Sequence, residues 1–221
     1  MTRGIFIAGN ESALCRAIED ETTKRVEQFA SALIPNKFSD VIKTSETEND
    51  KRISLEWNSS SQLSARTLVL AAENRLEKID EAILVCSPPL IRSSPSELSS
   101  AIVENVISYH VKGWFFLVKE IAAVFKNRGR GTLILVYSDN PGSGKDEAAD
   151  ILGSSASASF RALSSGLLAS AHNEPYITIG FSASDSGNDA SFASFIFKTI
   201  DDLPKRSNGK LFKFGKFSFF K

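Results

Sequence analysis

The sequence predicts an α/β protein: a single domain on a doubly wound, mostly parallel sheet with helices on both faces. Three observations carry that reading. Short apolar runs alternate with segments of helical character along the chain, as expected when a parallel sheet is covered on both faces. A length of 221 residues with 42% hydrophobic content is enough for one sizeable core. The stretch IFIAGNESALCRAI at 5–18 begins as a strand and turns at Gly9 into a helix.

In chain order, the first strand is Gly4 to Ala8, and the first helix starts at Glu11 with Leu14, Ala17 and Ile18 on one face. Residues 24–34 are left open: Val26, Phe29 and Leu33 suit a continuing first helix, and the alternative, a second strand, comes from the resemblance given below. Thr44 to Lys51 is polar and charged and reads as an exposed loop. Further strands are read at Ile53 to Trp57, Glu81 to Cys86, Gly131 to Tyr137, Tyr176 to Phe181 and Leu211 to Phe219. Helices fit between them at Ser61 to Leu76, Leu98 to Asn127, Ser154 to Ala171 and Ser191 to Ile200. This order is that of a doubly wound sheet, and no internal repeat interrupts it.

Composition narrows the partners and the compartment. Basic and acidic residues balance at 26 each, and the basic residues cluster only in pairs such as Lys24 with Arg25, which argues against nucleic acid. Cys15 and Cys86 are the only cysteines, too few for a disulfide framework and without zinc-site spacing, so a reducing compartment is expected. The opening MTRGIFIAG has no signal-peptide core, and no run approaches the ~18 apolar residues of a membrane span. A cytoplasmic protein that does not contact membranes is expected.

Aligned in this order, the elements resemble the short-chain dehydrogenase/reductase family, whose fold is Rossmann-like. IAGNESALCRAI at 7–18 runs in register with that family's opening T-G-x-x-x-G-x-G; Gly9 matches the first glycine, and Ala13 and Cys15 stand where the others belong. ILVCSPP at 83–89 takes the place of the strand ending in N-N-A-G. ENVISYHVKGWFFLVKEIAAVF is similar to the long interface helix, with His110 about where the family's asparagine interrupts it. GTLILVYS resembles the strand ending in the catalytic serine, here Ser138, and SSASASFRALSSGLLASA resembles the helix carrying Y-x-x-x-K. NGKLFKFGKF resembles the last strand, and the family order wants a second strand within residues 24–34.

The resemblance implies a nicotinamide cofactor, NAD or NADP, with Gly9, Asn10, Ser12, Ala13 and Leu14 as the residues that would hold it. The glycines of that motif allow positive φ and close approach of helix N–H groups to a pyrophosphate. Ala13 and Cys15 are expected to strain the turn and crowd the phosphate, and Glu11 to place a negative charge beside it. Ser12 also reads simply as a helix N-cap. Pro88 and Pro89 replace N-N-A-G with an extended backbone lacking donors. One register of Y-x-x-x-K puts Ala156 at the tyrosine and Phe160 at the lysine; shifted by one, it puts Ser157 and Arg161 there, and neither register supplies the acid. Ser138 and His110 are the catalytic candidates by position alone. Their simpler readings are a loop-lining serine and a histidine bonded within its helix. No G-x-S-x-G elbow accompanies them, and no metal cluster is expected.

Two further stretches invite chemistry without supporting it. NPGSGKDE at 140–147 lacks the first glycine and the Ser/Thr of a phosphate loop and reads as a turn. SASDSGND, after the sixth strand, is too short and polar for a full substrate lid. What is retained is packing: the helix at 98–127 is richly apolar through Trp114, Phe115, Phe116, Leu117, Ile121 and Phe125, and the helix at 154–171 is lined with small residues. In the resembled family these two helices form the dimer, often extended to a tetramer, and the aromatic C-terminal run asks for cover as well. Two functions remain: a non-catalytic member of the fold whose homo-oligomer binds a protein or small molecule without cofactor, or an NAD(P)-dependent oxidoreductase with relocated acid–base groups at His110, Tyr109 or Tyr137.

Overall fold

The computed structural model describes residues 3–34, 51–138, 150–184, 188–204 and 206–215. Seven parallel strands form one sheet: β1 (Ile5–Asn10), β2 (Phe29–Ile34), β3 (Arg52–Ser54), β4 (Glu81–Cys86), β5 (Thr132–Ser138), β6 (Ile177–Ala183) and β7 (Leu211–Phe214). Their spatial order is β3-β2-β1-β4-β5-β6-β7. The helices are α1 (Ala13–Thr23), α2 (Gln62–Leu76), α3 (Ser100–Ile107), α4 (Gly113–Arg128), α5 (Ile151–Ser170) and α6 (Asp189–Asp201).

Strand parity divides the core between two layers. Phe6, Ala8, Leu84, Leu133 and Leu135 face α2 and α4 together with Trp114, Ile121 and Phe125. Their neighbours Ile5, Ile7, Ile83, Val85 and Ile134 face the opposite way, against Leu14 and Ile18 of α1 and Phe192, Ile196 and Phe197 of α6. Alternate residues pointing to opposite faces is the property of a strand that makes a continuous apolar run the right sequence for a sheet buried on both sides.

Residues 24–34 resolve in favour of the strand. Helix α1 stops at Thr23, and Phe29–Ile34 pairs with β1 on one side and β3 on the other. A helix continuing through this segment would put Val26, Phe29, Ala30 and Leu33 on one face and turn Ala32 away from it; the strand buries Phe29, Ala30, Ala32 and Ile34 together. Glu19 on α1 is buried with it, accepting a hydrogen bond from Ser31 Oγ of β2 and lying 3.3 Å from Arg52 Nε of β3. Burial pushes the Glu19 carboxyl up, against the pull of those two partners.

Other boundaries shift for local reasons. The helix read as 98–127 spans α3 and α4, joined by a π-helical segment at Ser108–Lys112 that contains His110. Helix α5 begins at Ile151, earlier than Ser154, because Asp150 caps it: its Oδ1 accepts the Gly153 N–H at 2.8 Å. Helix α6 begins at Asp189, earlier than Ser191, with Asn188 as its cap. Strand β3 covers Arg52–Ser54, shorter than the Ile53 to Trp57 run read from the sequence; the Leu55 N–H still donates to the Ser31 carbonyl of β2 at 2.8 Å, and the chain leaves the sheet after it. The turn at 140–147, most of the loop at 44–51, part of SASDSGND and the C-terminal end of the last strand lie outside the described residues. Among the described residues no helix is long and apolar enough to cross a membrane, and no group of metal-ligating side chains is present.

Candidate functional site

The sheet order reverses direction between β1 and β4, and in open α/β sheets ligands bind in the crevice beyond the strand carboxyl ends at that point. A cleft of about 200 Å³ lies there. Its wall on the α1 side is made of Ser12, Ala13 and Leu14, its floor of Cys86, Ser87 and Pro88 at the exit of β4, and its far side of Ser138, Ala183 and Ser157 with Asp189 and Phe192 from the start of α6. Four residues singled out in the sequence, Ser12, Ala13, Leu14 and Ser138, therefore meet in one place. Asn10 and His110 do not line it.

The turn from β1 to α1 forms without the backbone strain expected of its missing glycines. Among the described residues Glu77 is the one non-glycine with positive φ, so Ala13 and Cys15 adopt ordinary conformations. Ser12 is extended (φ −148°, ψ 162°), and its hydroxyl accepts the Cys15 N–H at 3.2 Å, which is the N-cap its type suggests. Gly9 is needed for space: a Cβ there would stand 2.8 Å from Cys15 Sγ and 3.1 Å from Val85. Cys15 is fully buried in the α1 layer of the core, so its bulk fills the hollow over Gly9 and does not project toward a phosphate as expected. Burial pushes its thiol far above the ordinary range, which keeps it protonated and inert. Glu11 is exposed, does not line the cleft and pairs with Arg16 at 3.3 Å.

Asn10 spans the core side of this turn. Its Oδ1 accepts the backbone N–H of Ser87 at 2.9 Å, which fixes the amide so that Nδ2 donates to His110 Nδ1 at 2.7 Å. One side chain thus ties β1 to the exit of β4 and to the π segment. His110 is 2% exposed and bonds across to the sheet, not within its own helix as the sequence suggested. Burial drops its pKa to about 4, so it is the neutral acceptor that this bond requires.

Helix α5 decides between the two registers of the tyrosine–lysine motif. Ala156 turns into a small apolar cluster with Ile91, Val106 and Leu152. Phe160 packs edge-on against Trp114, with centroids 5.1 Å apart, and against Tyr137 at 6.2 Å. Ser157 is the residue that lines the cleft, with Arg161 one helical turn further on. Ser157 is 6% exposed, and its hydroxyl has no hydrogen-bond partner among the described residues. Ser138 Oγ reaches the Ala183 carbonyl at 3.4 Å. Cys86, which forms part of the floor, is pushed far up by burial and stays a thiol. Asp189, raised by burial, is the one charged side chain among the lining residues. It went unnoticed in the sequence because α6 was read as starting at Ser191; the signal was the Asn188 cap just after the sixth strand.

The architecture is that of the doubly wound α/β class. Within that class the resemblance is specific: the chain superposes along nearly its whole length on solved short-chain dehydrogenases/reductases, and it has their fold. A double mutant of the enzyme from Serratia marcescens matches with a TM-score of 0.71 and 15% identity over 96% of this chain and 95% of that one. An NADH-dependent reductase solved in complex with NAD matches at 0.73 and 12%, with the same coverage. A short-chain dehydrogenase from Mycobacterium smegmatis matches at 0.72 and 9%, covering 97% of this chain and 93% of that one. No family model and no curated protein matches the sequence.

The described residues do not fit a dinucleotide. At about 200 Å³ the cleft is below the roughly 300–1,000 Å³ of ordinary small-molecule sites. Among the described residues no Lys or Arg lines it, and the one formal charge they bring would face a pyrophosphate with the same sign. The hollow at Gly9 that a close backbone approach would use is taken by Cys15 Sγ.

Proposed function

We propose that this chain is a non-catalytic protein on the short-chain dehydrogenase/reductase fold that binds a partner or small molecule as a cytoplasmic homo-oligomer and uses no nicotinamide cofactor. The observation that carries this reading is the fate of the proton-transfer positions. The helix position facing the cleft holds Ser157, and His110 is buried behind the cleft in a bond with Asn10. A hydroxyl with an alcohol's acidity cannot replace a tuned phenol in protonating a carbonyl. Support for the oligomer comes from exposed Ile107 and Phe115 on the α3–α4 helix, and from a smooth face of α5 where Ala158, Ala162 and Ser165 are exposed and Gly166 is open. A homodimer or homotetramer through helices 98–127 and 154–171 would cover both.

The second reading, an NAD(P)-dependent oxidoreductase with rearranged acid–base groups, is favoured by one finding, the close structural match to a reductase solved with NAD. Titration with NADH and NADPH, followed by nicotinamide fluorescence and calorimetry, separates the two. The proposal expects no saturable binding at micromolar concentrations and no turnover of carbonyl substrates. Micromolar affinity would establish the second reading.

A further inference from the structure

We infer that the cleft at the carboxyl ends of β4, β5 and β6 is a binding site for a small organic ammonium ligand, seated with its charged group against Asp189 and the Ser157 hydroxyl and its carbon chain on Leu14, Pro88 and Phe192. The inference rests on the non-catalytic reading above and names the ligand that such a site would take.

Three features of the cleft lead to it. The first is charge: among the described residues Asp189 is the one charged side chain that lines the cleft, and it has no ion-pair or hydrogen-bond partner among them. A carboxylate that has lost part of its water and has gained no counter-charge favours an incoming cation. The second is an unused hydroxyl. Ser157 is nearly buried, lines the same cleft and is bonded to no described residue, so an acceptor lone pair is available to an N–H donor. The third is size: about 200 Å³ with apolar walls suits a few carbons and one charged group, not a nucleotide.

Asp189 also stands in the first turn of α6, where an acidic residue stabilises a helix through its dipole. That role alone would make Asp189→Asn a matter of stability and leave binding untouched, so binding is the readout that discriminates.

The experiment titrates the purified full chain with n-butylammonium chloride, and in parallel with 1-butanol and sodium butyrate, following backbone amide shifts by NMR. The expected result is one saturable site for butylammonium with shifts centred on Ser157 and Asp189, and affinity at least about tenfold weaker for the alcohol and the carboxylate. Asp189→Asn should erase that preference, and Ser157→Val, which removes the hydroxyl and fills space, should abolish binding while the circular dichroism spectrum stays unchanged. Equal affinity for the three probes, a preference that survives in Asp189→Asn, or no binding of butylammonium would each overturn the inference. These failures leave the non-catalytic reading standing, because that reading falls only if NADH or NADPH binds.

Discussion

The two sides of the cleft differ in what their polar side chains are bonded to. On the β1–α1 side the side chains of Asn10, Ser12 and Glu11 are each bonded to another group of the protein. Asn10 holds the Ser87 N–H and His110, Ser12 caps α1, and Glu11 is paired with Arg16. On the α5–α6 side, Ser157 and Asp189 have no described partner. Both sides lie at the carboxyl ends of the strands, yet the polar side chains of the first are bonded within the protein and those of the second are not. The difference shows that polar side chains at the carboxyl ends of a parallel sheet can serve as cross-braces on one side of a cleft and be left unbonded on the other. Buried polar groups must be satisfied by something, and here the protein itself does it.

The comparison is broken most directly by removing the brace. Asn10→Leu leaves the Ser87 N–H and His110 Nδ1 without partners in the interior, and the expected loss is about 3–4 kcal/mol of unfolding free energy in urea. A loss below about 1 kcal/mol would mean that the brace is replaceable by water and that this side is not interior.

Protonation tests the same brace without mutation. His110 titrates near 4 when folded against 6.5 in the unfolded chain, so the unfolded state binds the proton more tightly. Stability from this group is fully present above pH 6.5 and is lost as the pH falls toward 4, by about 3 kcal/mol in all. Glu19 and Glu81, both raised by burial, act in the opposite direction over the lower part of this range. The contribution of His110 is therefore read as the difference between the wild type and His110→Gln. Wild-type stability should fall more steeply than that of the variant between pH 7 and pH 5. Parallel curves would show that the histidine is not held neutral by its surroundings.

A smaller effect is expected where α1 meets β1. Gly9→Ala places a methyl 2.8 Å from Cys15 Sγ and 3.1 Å from Val85, an overpacking worth about 2 kcal/mol. Cys15→Ala in the same chain frees that volume and should recover about half of the loss, which a double-mutant cycle would measure as coupling between the two sites. Additive losses would place the clash on Val85 alone.

How much of this was legible from the sequence depends on the range over which each feature is encoded. The alternation of strands and helices along the chain follows from short apolar runs, a local signal that survives at the 9–15% identity of the structural neighbours named above. The second strand was ambiguous because FASALI is short and its apolar residues fit either period; only burial between β1 and β3 settles it. The bond between Asn10 and His110 joins residues a hundred positions apart and leaves no trace in either neighbourhood. Nor could the register of α5 be read, since SASASF offers small residues at every position and its facing is set by where Phe160 finds Trp114.

The open side is tested by a change that should do almost nothing to the fold. Ser157→Ala removes a hydroxyl that is nearly buried and bonded to no described residue. Losing a hydrogen-bonded hydroxyl from such a position would cost about 1 kcal/mol or more, whereas losing an unbonded one releases a desolvated polar atom and returns something close to zero or slightly positive. The expected change in unfolding free energy is therefore within about 0.5 kcal/mol, in contrast to the large loss for Asn10→Leu across the same cleft. A loss of 1 kcal/mol or more would mean that Ser157 is braced like Asn10, and the asymmetry between the two sides would no longer hold.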